Sequence, residues 1–429
     1  MISLEADVLI VGGGMAGTCA AIAAARSGSQ TILVERNGFL GGAATAAAVG
    51  QFVGWETEAG RRVIAGLAEE VVARLIDNDG AHGHSRFVMS TGHVMDRVQY
   101  NPEILKCVLD SLVAEAGVDL LFHAWQAGAE THGARVYGAR FLTKSGEISI
   151  RARQFIDATG DLDLLQAVSA PMLRADRDRL QPGTLMFAIG PIDFDRFDAI
   201  ELEEKGALAR RGFEEGALAR PALHCSRVPG SDHGWFNVTR VTVDGSDARS
   251  LSQAEIEGRR QALAAARYII DKVPGCENAR LSAFAPQLGI RETRRALADH
   301  TITVEDLASA RRFDDTIACG AYPIDLHKAN SGALTIEGFG ADHAYCVPLR
   351  ALIVRDFDNL QVAGRGISAT QEAHGALRVM PLAMAMGQAV GTAAAMAAGA
   401  GNDPAVRDID ISALRDRLSR AGAIIDPDA

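Results

Sequence analysis

Three observations predict an α/β fold in which a Rossmann-type dinucleotide domain is interrupted by an α+β substrate domain. Residues 6–35 read as strand, glycine turn, helix, strand and acid. A second strand ending in a small-residue turn follows at 155–161, and a third at 359–366, after a long stretch of different texture. The units expected are residues 1–165 and 342–429, the two parts of the dinucleotide domain, with 166–341 as the substrate or cap domain.

The first element carries the most information. An apolar run over residues 8–11 meets Gly12, Gly13 and Gly14, then Met15, Ala16 and Gly17, and an alanine-rich segment follows. Gly12, Gly14 and Gly17 have the GxGxxG spacing: a sharp turn, room for a pyrophosphate against the backbone, and close helix-on-strand packing. The unpaired N–H groups of the helix that follows suit phosphates. Glu35 ends the next apolar run, where a carboxylate accepts both hydroxyls of an adenosine ribose and repels a 2′-phosphate. A turn serving only packing leaves Glu35 without a role.

Composition excludes several classes. Of 429 residues 48% are apolar and 5% aromatic, as in an alanine-rich enzyme, and the net charge of −11 comes from interspersed acids and bases. No nucleic-acid surface is therefore expected. With Glu5 and Asp7 just ahead of the first strand, a cytoplasmic protein is expected. Cys19, Cys107, Cys225, Cys276, Cys319 and Cys346 are scattered without a CxxC pair, which favours reduced structural thiols over a dithiol relay. His82 and His84 lack a third ligand in a matching place, so no metal site is expected. The uncharged segment 379–402 is long enough for a membrane span but is mostly alanine, glycine and methionine, so a buried helix is expected instead.

Along the rest of the chain, Arg36 leads to the glycine pair Gly41 and Gly42, which lets backbone run close to an extended ligand, and Thr45 offers a hydroxyl to phosphate or flavin. Helical spacing predicts a helix over 61–76, residues 78–92 read as a loop, and Asn101 with Pro102 opens a helix that stops at Gly117. A strand over 118–122 and a hairpin over 135–150, turning at Ser145 and Gly146, lead into the second small-residue turn, with Ala158, Gly160 and Asp161. Strands over 184–189 and 235–243 then alternate with helices over 200–211 and 252–273. Arg291, Arg294 and Arg295 suit either an anion or ion pairs with Glu292 and Asp299. After a strand at 359–362 come Gly364 and Arg365, a polar loop over 368–378, and a helix from Pro381 whose start is bare of acids. Such a terminus favours the negative charge a reduced flavin carries near N1, by about 1 kcal/mol.

Taken together, these stretches resemble the FAD-dependent oxidoreductase family of bacterial flavoproteins, distantly related to the flavoprotein subunits of fumarate reductases and succinate dehydrogenases. The resemblance rests on residues 7–17, 38–42, 101–106, 156–163, 289–295, 322–327 and 362–391. It implies non-covalent FAD bound across a two-dinucleotide-binding-domain, glutathione reductase-like fold. FAD contacts carry over to Gly12, Gly14, Gly17, Glu35, Gly42, Gly160, Gly364 and Gln388. Met15, Ala16, Arg36, Gly41, Thr45, Ala158, Asp161 and Arg365 complete the expected cofactor set. The substrate-site pattern of a fumarate reductase is lacking.

The function expected is hydride transfer between flavin N5 and a small polar metabolite: an alcohol, hydroxy acid, amine or sugar. His327 and His374 are the candidate bases, and Arg291 and Arg378 the groups that orient an anion. The alternative is a flavin-binding scaffold or electron-transfer subunit that needs a partner protein; a nicotinamide dehydrogenase with the same fingerprint would purify colourless. Partners expected are a small-molecule substrate and an external electron acceptor or a second copy of the chain.

Overall fold

The computed structural model describes residues 2–89, 92–327, 334–401 and 405–428. Its central sheet is laid down first. Strand β1 (Ile2–Val11) runs into the glycine turn and α1 (Met15–Arg26), and β2 (Thr31–Val34) returns parallel to β1 with Val8 opposite Thr31 and Val11 opposite Val34. All four residues of β2 and the last four of β1 are buried, as a strand covered on both faces requires.

Strand β3 (Gln51–Val53) lies in a second, antiparallel sheet with β4 (Ala81–Val88) and β5 (Val94–Tyr100), in the order β3-β5-β4. Helix α2 (Leu67–Asp77) starts later than its spacing predicts, because Val63 and Ile64 are buried in a non-helical lead. The expected loop over 78–92 is largely strand β4. Its sequence, AHGHSRFV, has no apolar alternation, and its place comes from pairing with β5.

Helix α3 (Pro102–Glu115) opens as expected: the Asn101 side chain accepts from Glu103 N, and Pro102 sits in the first turn. Strand β6 (Asp119–Leu121) pairs with β2. Strands β7 (Trp125–His132), β8 (Arg135–Thr143) and β9 (Gly146–Asp157) form a meander, and β9 runs on as the parallel neighbour of β1, from Ile2 opposite Ile148 to Val11 opposite Asp157. The sheet order is β6-β2-β1-β9-β8-β7, and the late strand Leu360–Val362 joins the end of β9. Residues 146–157 and 360–362 are thus bound into the same sheet as the N-terminus.

The long helix Met380–Gly399 packs on α1 and on this sheet. A Cβ on Gly387 would stand 2.1 Å from the Ala16 carbonyl oxygen, and one on Gly391 2.1 Å from that of Ala20, so only glycine permits this approach. By length and composition this helix could cross a membrane; its most apolar window is 89% buried in the fold. The expected polar loop before it is largely helical, Gln371–Leu377, capped by Thr370 accepting from Ala373 N.

A separate apolar core draws on Ala48 and on residues between Leu185 and Leu288. It lies under an antiparallel sheet ordered Cys225–Arg227, Gly234–Phe236, Phe187–Gly190 and Arg280–Phe284, flanked by the helices Leu202–Glu214 and Ala248–Lys272. The strand expected over 235–243 ends at Phe236. Ala296, Ile302 and Ile317, inside the stretch assigned by sequence to the cap, pack in the first core.

Candidate active site

The two cores meet over one cavity of about 440 Å³. One end is the glycine turn. Gly12 has φ +102°, and a Cβ there would sit 2.5 Å from the Ala158 oxygen, whereas a Cβ on Gly14 would meet no protein atom closer than 3.9 Å because that residue faces open space. Gly17 lies below the turn, its missing Cβ 1.9 Å from the Gly12 oxygen. Gly41 N donates to Gly13 O at 2.8 Å, and Gly42, at φ +53°, passes so close to Gly14 that a Cβ would stand 2.9 Å from its Cα. No acid occupies the first turn of α1.

Glu35 is buried at the rim, where its carboxylate accepts from Gly13 N at 2.7 Å and Asn37 N at 2.8 Å. Arg36 stands over the Trp125 ring at 5.8 Å, and both line this end of the cavity. Trp125, an exposed aromatic, was not anticipated from sequence because it starts a strand with no other motif.

In the middle, Asp157 ends β9 fully buried and accepts from Thr159 N and Oγ1 and from Leu165 N, at 3.0, 2.7 and 3.0 Å. Burial raises its carboxyl to about 6 against those donors. The turn it shapes presents Ala158, Gly160 and Asp161 to the cavity. Asp161 accepts from Arg365 at 2.6 Å and from Thr293 Oγ1 at 2.9 Å. Met15, Ala16, Gly364 and Arg365 line the same region, as does the start of the long helix through Val379, Met380 and Ala383.

The far end is built from Arg291, Tyr322, Asp325, His327 and Arg378, with Gln51, Thr184, Met186, Asn237 and Gln287 across from them. Arg378 donates to the Asp325 backbone oxygen at 3.1 Å and lies 3.4 Å from its carboxylate, and Tyr322 OH donates to Asp325 Oδ2 at 3.3 Å. Arg240 donates to His327 Nδ1 at 2.9 Å; since guanidinium only donates, the imidazole proton is on Nε2, 3.2 Å from Asp325 Oδ1. Burial and Arg291 push His327 down to about 2, so it is neutral at pH 7. Despite burial, His327 and Arg378 hold the Asp325 carboxyl well below the usual range.

Besides Gly17, three expected site residues lie outside the cavity. His374 is fully buried and donates from Nε2 to the Arg365 oxygen at 2.8 Å; burial and Arg295 push it down to about 3. Gln388 is turned away from the cavity: its oxygen accepts from Leu67 N at 3.0 Å. The Thr45 hydroxyl donates to Leu40 O at 2.6 Å. Of the other arginines in that run, Arg295 pairs with Glu292 at 2.7 Å and Arg294 donates to Asp161 O at 3.0 Å. Cys319 and Cys346 face each other across paired strands, but no cysteine lines the cavity among the described residues. No group of three metal-ligating side chains occurs among those residues, and His84 is engaged by Asp96 at 2.6 Å and Glu69 at 3.2 Å.

A glycine turn open to a helix terminus, a buried acid beyond it and a cavity continuing from the turn fit a flavin dinucleotide. The sequence matches the family described as FAD dependent oxidoreductase over residues 7–418. The chain belongs to that family. FAD is the cofactor of this oxidoreductase. Among solved structures, p-nitrophenol 4-monooxygenase PnpA from Pseudomonas putida DLL-E4 is 12% identical, with 98% of this flavoprotein and 84% of that chain covered at a TM-score of 0.51. A triple mutant of the flavin-dependent brominase Bmp2 is 11% identical, with 97% and 84% covered at 0.50. At such identities the likeness concerns the fold of the oxidoreductase alone. No curated protein matches its sequence.

Proposed function

We propose that this protein is a two-dinucleotide-domain flavoprotein of the glutathione reductase type that oxidises or reduces a small polar metabolite. FAD supplies, when bound, a ring position that accepts or returns a hydride. The observation that carries this reading is the single cavity whose one end is a dinucleotide cradle and whose other end is a polar, arginine-lined chamber.

Gly12, Gly14, Met15, Ala16, Gly41 and Gly42 form the cradle, with Glu35 for the ribose and Ala158, Gly160, Asp161, Gly364 and Arg365 along the groove. The long helix aims an N-terminus without acids at the middle of the cavity. At the far end Arg291 and Arg378 orient the substrate and ionised Asp325 accepts a hydrogen bond from its hydroxyl or amine, while neutral His327, its Nδ1 taken by Arg240, holds Asp325 in place through Nε2–H. The cap core borders this end through Met186 and Leu288. Electrons leave to an external acceptor, and the protein works in the cytoplasm, where its free cysteines stay reduced.

The test is an anaerobic screen of the purified yellow protein against alcohols, hydroxy acids, amines and sugars, following the oxidised flavin band. Bleaching by one class is expected. Bleaching only on addition of a partner protein would replace this reading with that of an electron-transfer subunit.

A further inference from the structure

The far end of the cavity carries more positive charge than its own residues neutralise. Arg291 and Arg378 line it, and Arg240 stands directly behind His327. Arg220 lies close enough that its charge acts on Arg240 and Arg291. Among the described residues, Asp325 is the one carboxylate that offsets Arg220, Arg240 and Arg291 alike. His327 is neutral, so among those residues four guanidiniums share one negative charge, and four less one leaves three.

The hydrogen bonds made by these arginines do not remove that charge. Arg291 donates to the Pro182 carbonyl at 2.6 Å, and Arg240 to Thr184 Oγ1 and the Thr239 carbonyl, both at 3.0 Å. These acceptors are neutral. Arg378 leaves its Nε buried without a partner. Burial pushes Arg240, Arg291 and Arg220 down from the ordinary arginine value, reinforced at Arg240 and Arg291 by neighbouring guanidiniums. Buried like charges destabilise a fold unless something of opposite charge completes them. FAD leaves this need unmet if its pyrophosphate sits at the glycine turn, away from the chamber.

We propose that the chamber receives a small organic dianion, its acid oxygens held by Arg291 and Arg378 and its charge balanced by Arg240 and Arg220 behind them. This rests on the reading of the far end as the substrate end. A planar guanidinium fork suits carboxylate and phosphate equally, so either can supply the acid groups. A dianion also explains the cluster as a specificity device: a neutral substrate would leave three buried charges uncompensated.

Calorimetry on the FAD-loaded protein tests it with malonate, glutarate and glycerol phosphate against butyrate and propanediol. Dianions are expected to bind at least about tenfold more tightly than the monoanion or the diol, and to lose affinity with added salt. Whether the carboxylates or the phosphate ester bind better names the source of the acid groups. In R291Q and R378Q, checked for unchanged FAD content, dianion affinity falls at least about tenfold. Should either variant fail to fold, the salt dependence and the ligand ranking of the unaltered protein decide. Equal binding of the diol, or dianion affinity unchanged in both variants, overturns the proposal. A neutral compound that bleaches the flavin while no dianion binds overturns the dianion and leaves the oxidoreductase reading standing. A dianion held through Arg291 that never bleaches the flavin keeps the dianion and overturns hydride transfer.

Discussion

Arg365 and Asp161, 204 positions apart in sequence, are joined at 2.6 Å on the cavity wall, and Thr293 donates to the same Asp161 oxygen at 2.9 Å. Three distant segments are therefore clamped where the two halves of a flavin dinucleotide would meet. Charge-assisted bonds of this kind contribute roughly 1.5–3 kcal/mol. In D161N, FAD affinity is expected to fall about tenfold or more. Fluorescence titration of the apoprotein with FAD measures it, and unchanged affinity would remove the clamp from the cofactor site.

His374 and His327 separate a structural from a substrate-facing role. His374 is sealed beneath Arg365, so His374→Ala is expected to lower stability by about 1–3 kcal/mol and to change turnover per bound flavin by less than about threefold. His327 faces the cavity, so His327→Ala should reduce turnover at least about tenfold with FAD retained. Steady-state rates normalised to flavin content distinguish the two.

The contact of the long helix with α1 leaves no room for a methyl group. Gly391→Ala would place Cβ 2.1 Å from the Ala20 oxygen, and Gly387→Ala equally close to that of Ala16. Overpacking of this kind costs about 1–3 kcal/mol. Thermal unfolding should show a lowered Tm for both. Because Ala16 also lines the cavity, Gly387→Ala should release FAD at lower temperature than Gly391→Ala.

His84 supplies a pH dependence. Burial disfavours its charged form, but Asp96 at 2.6 Å and Glu69 at 3.2 Å outweigh that and raise it from 6.5 to about 9. A histidine raised on folding contributes stability that is full below pH 6.5 and is lost as pH climbs through 9. Solvent screening at this partly exposed site limits the loss to on the order of 1 kcal/mol. Denaturant titrations between pH 6.5 and 9.5 should show the decline, flattened in D96N.

The geometry of the glycine-turn end was legible because it is local: the turn, helix and acid between Gly12 and Glu35 are contiguous. The chamber was only partly legible, since Arg240, Arg291, Tyr322, His327 and Arg378 come from separate segments. Sequence singled out Arg291, His327 and Arg378 and left Arg240 and Tyr322 without a role. His374 was misleading because the segment around it is polar, yet Thr370 caps it into a helix that turns the imidazole inward. Gln388 was expected at the cofactor only because the family resemblance carried it over, and its side chain holds the start of α2 instead. Strand β4 escaped notice because its edge position leaves both faces partly wet and removes the alternation that marks strands.

The pairing of Leu360–Val362 with β9 and the seating of Met380–Gly399 on α1 have a consequence for biosynthesis. During translation, the alanine-rich face of α1 leaves the ribosome long before the helix that covers it. Hundreds of residues must be made before that face is shielded, so closure of this helix pair waits until nearly the whole polypeptide has been synthesised.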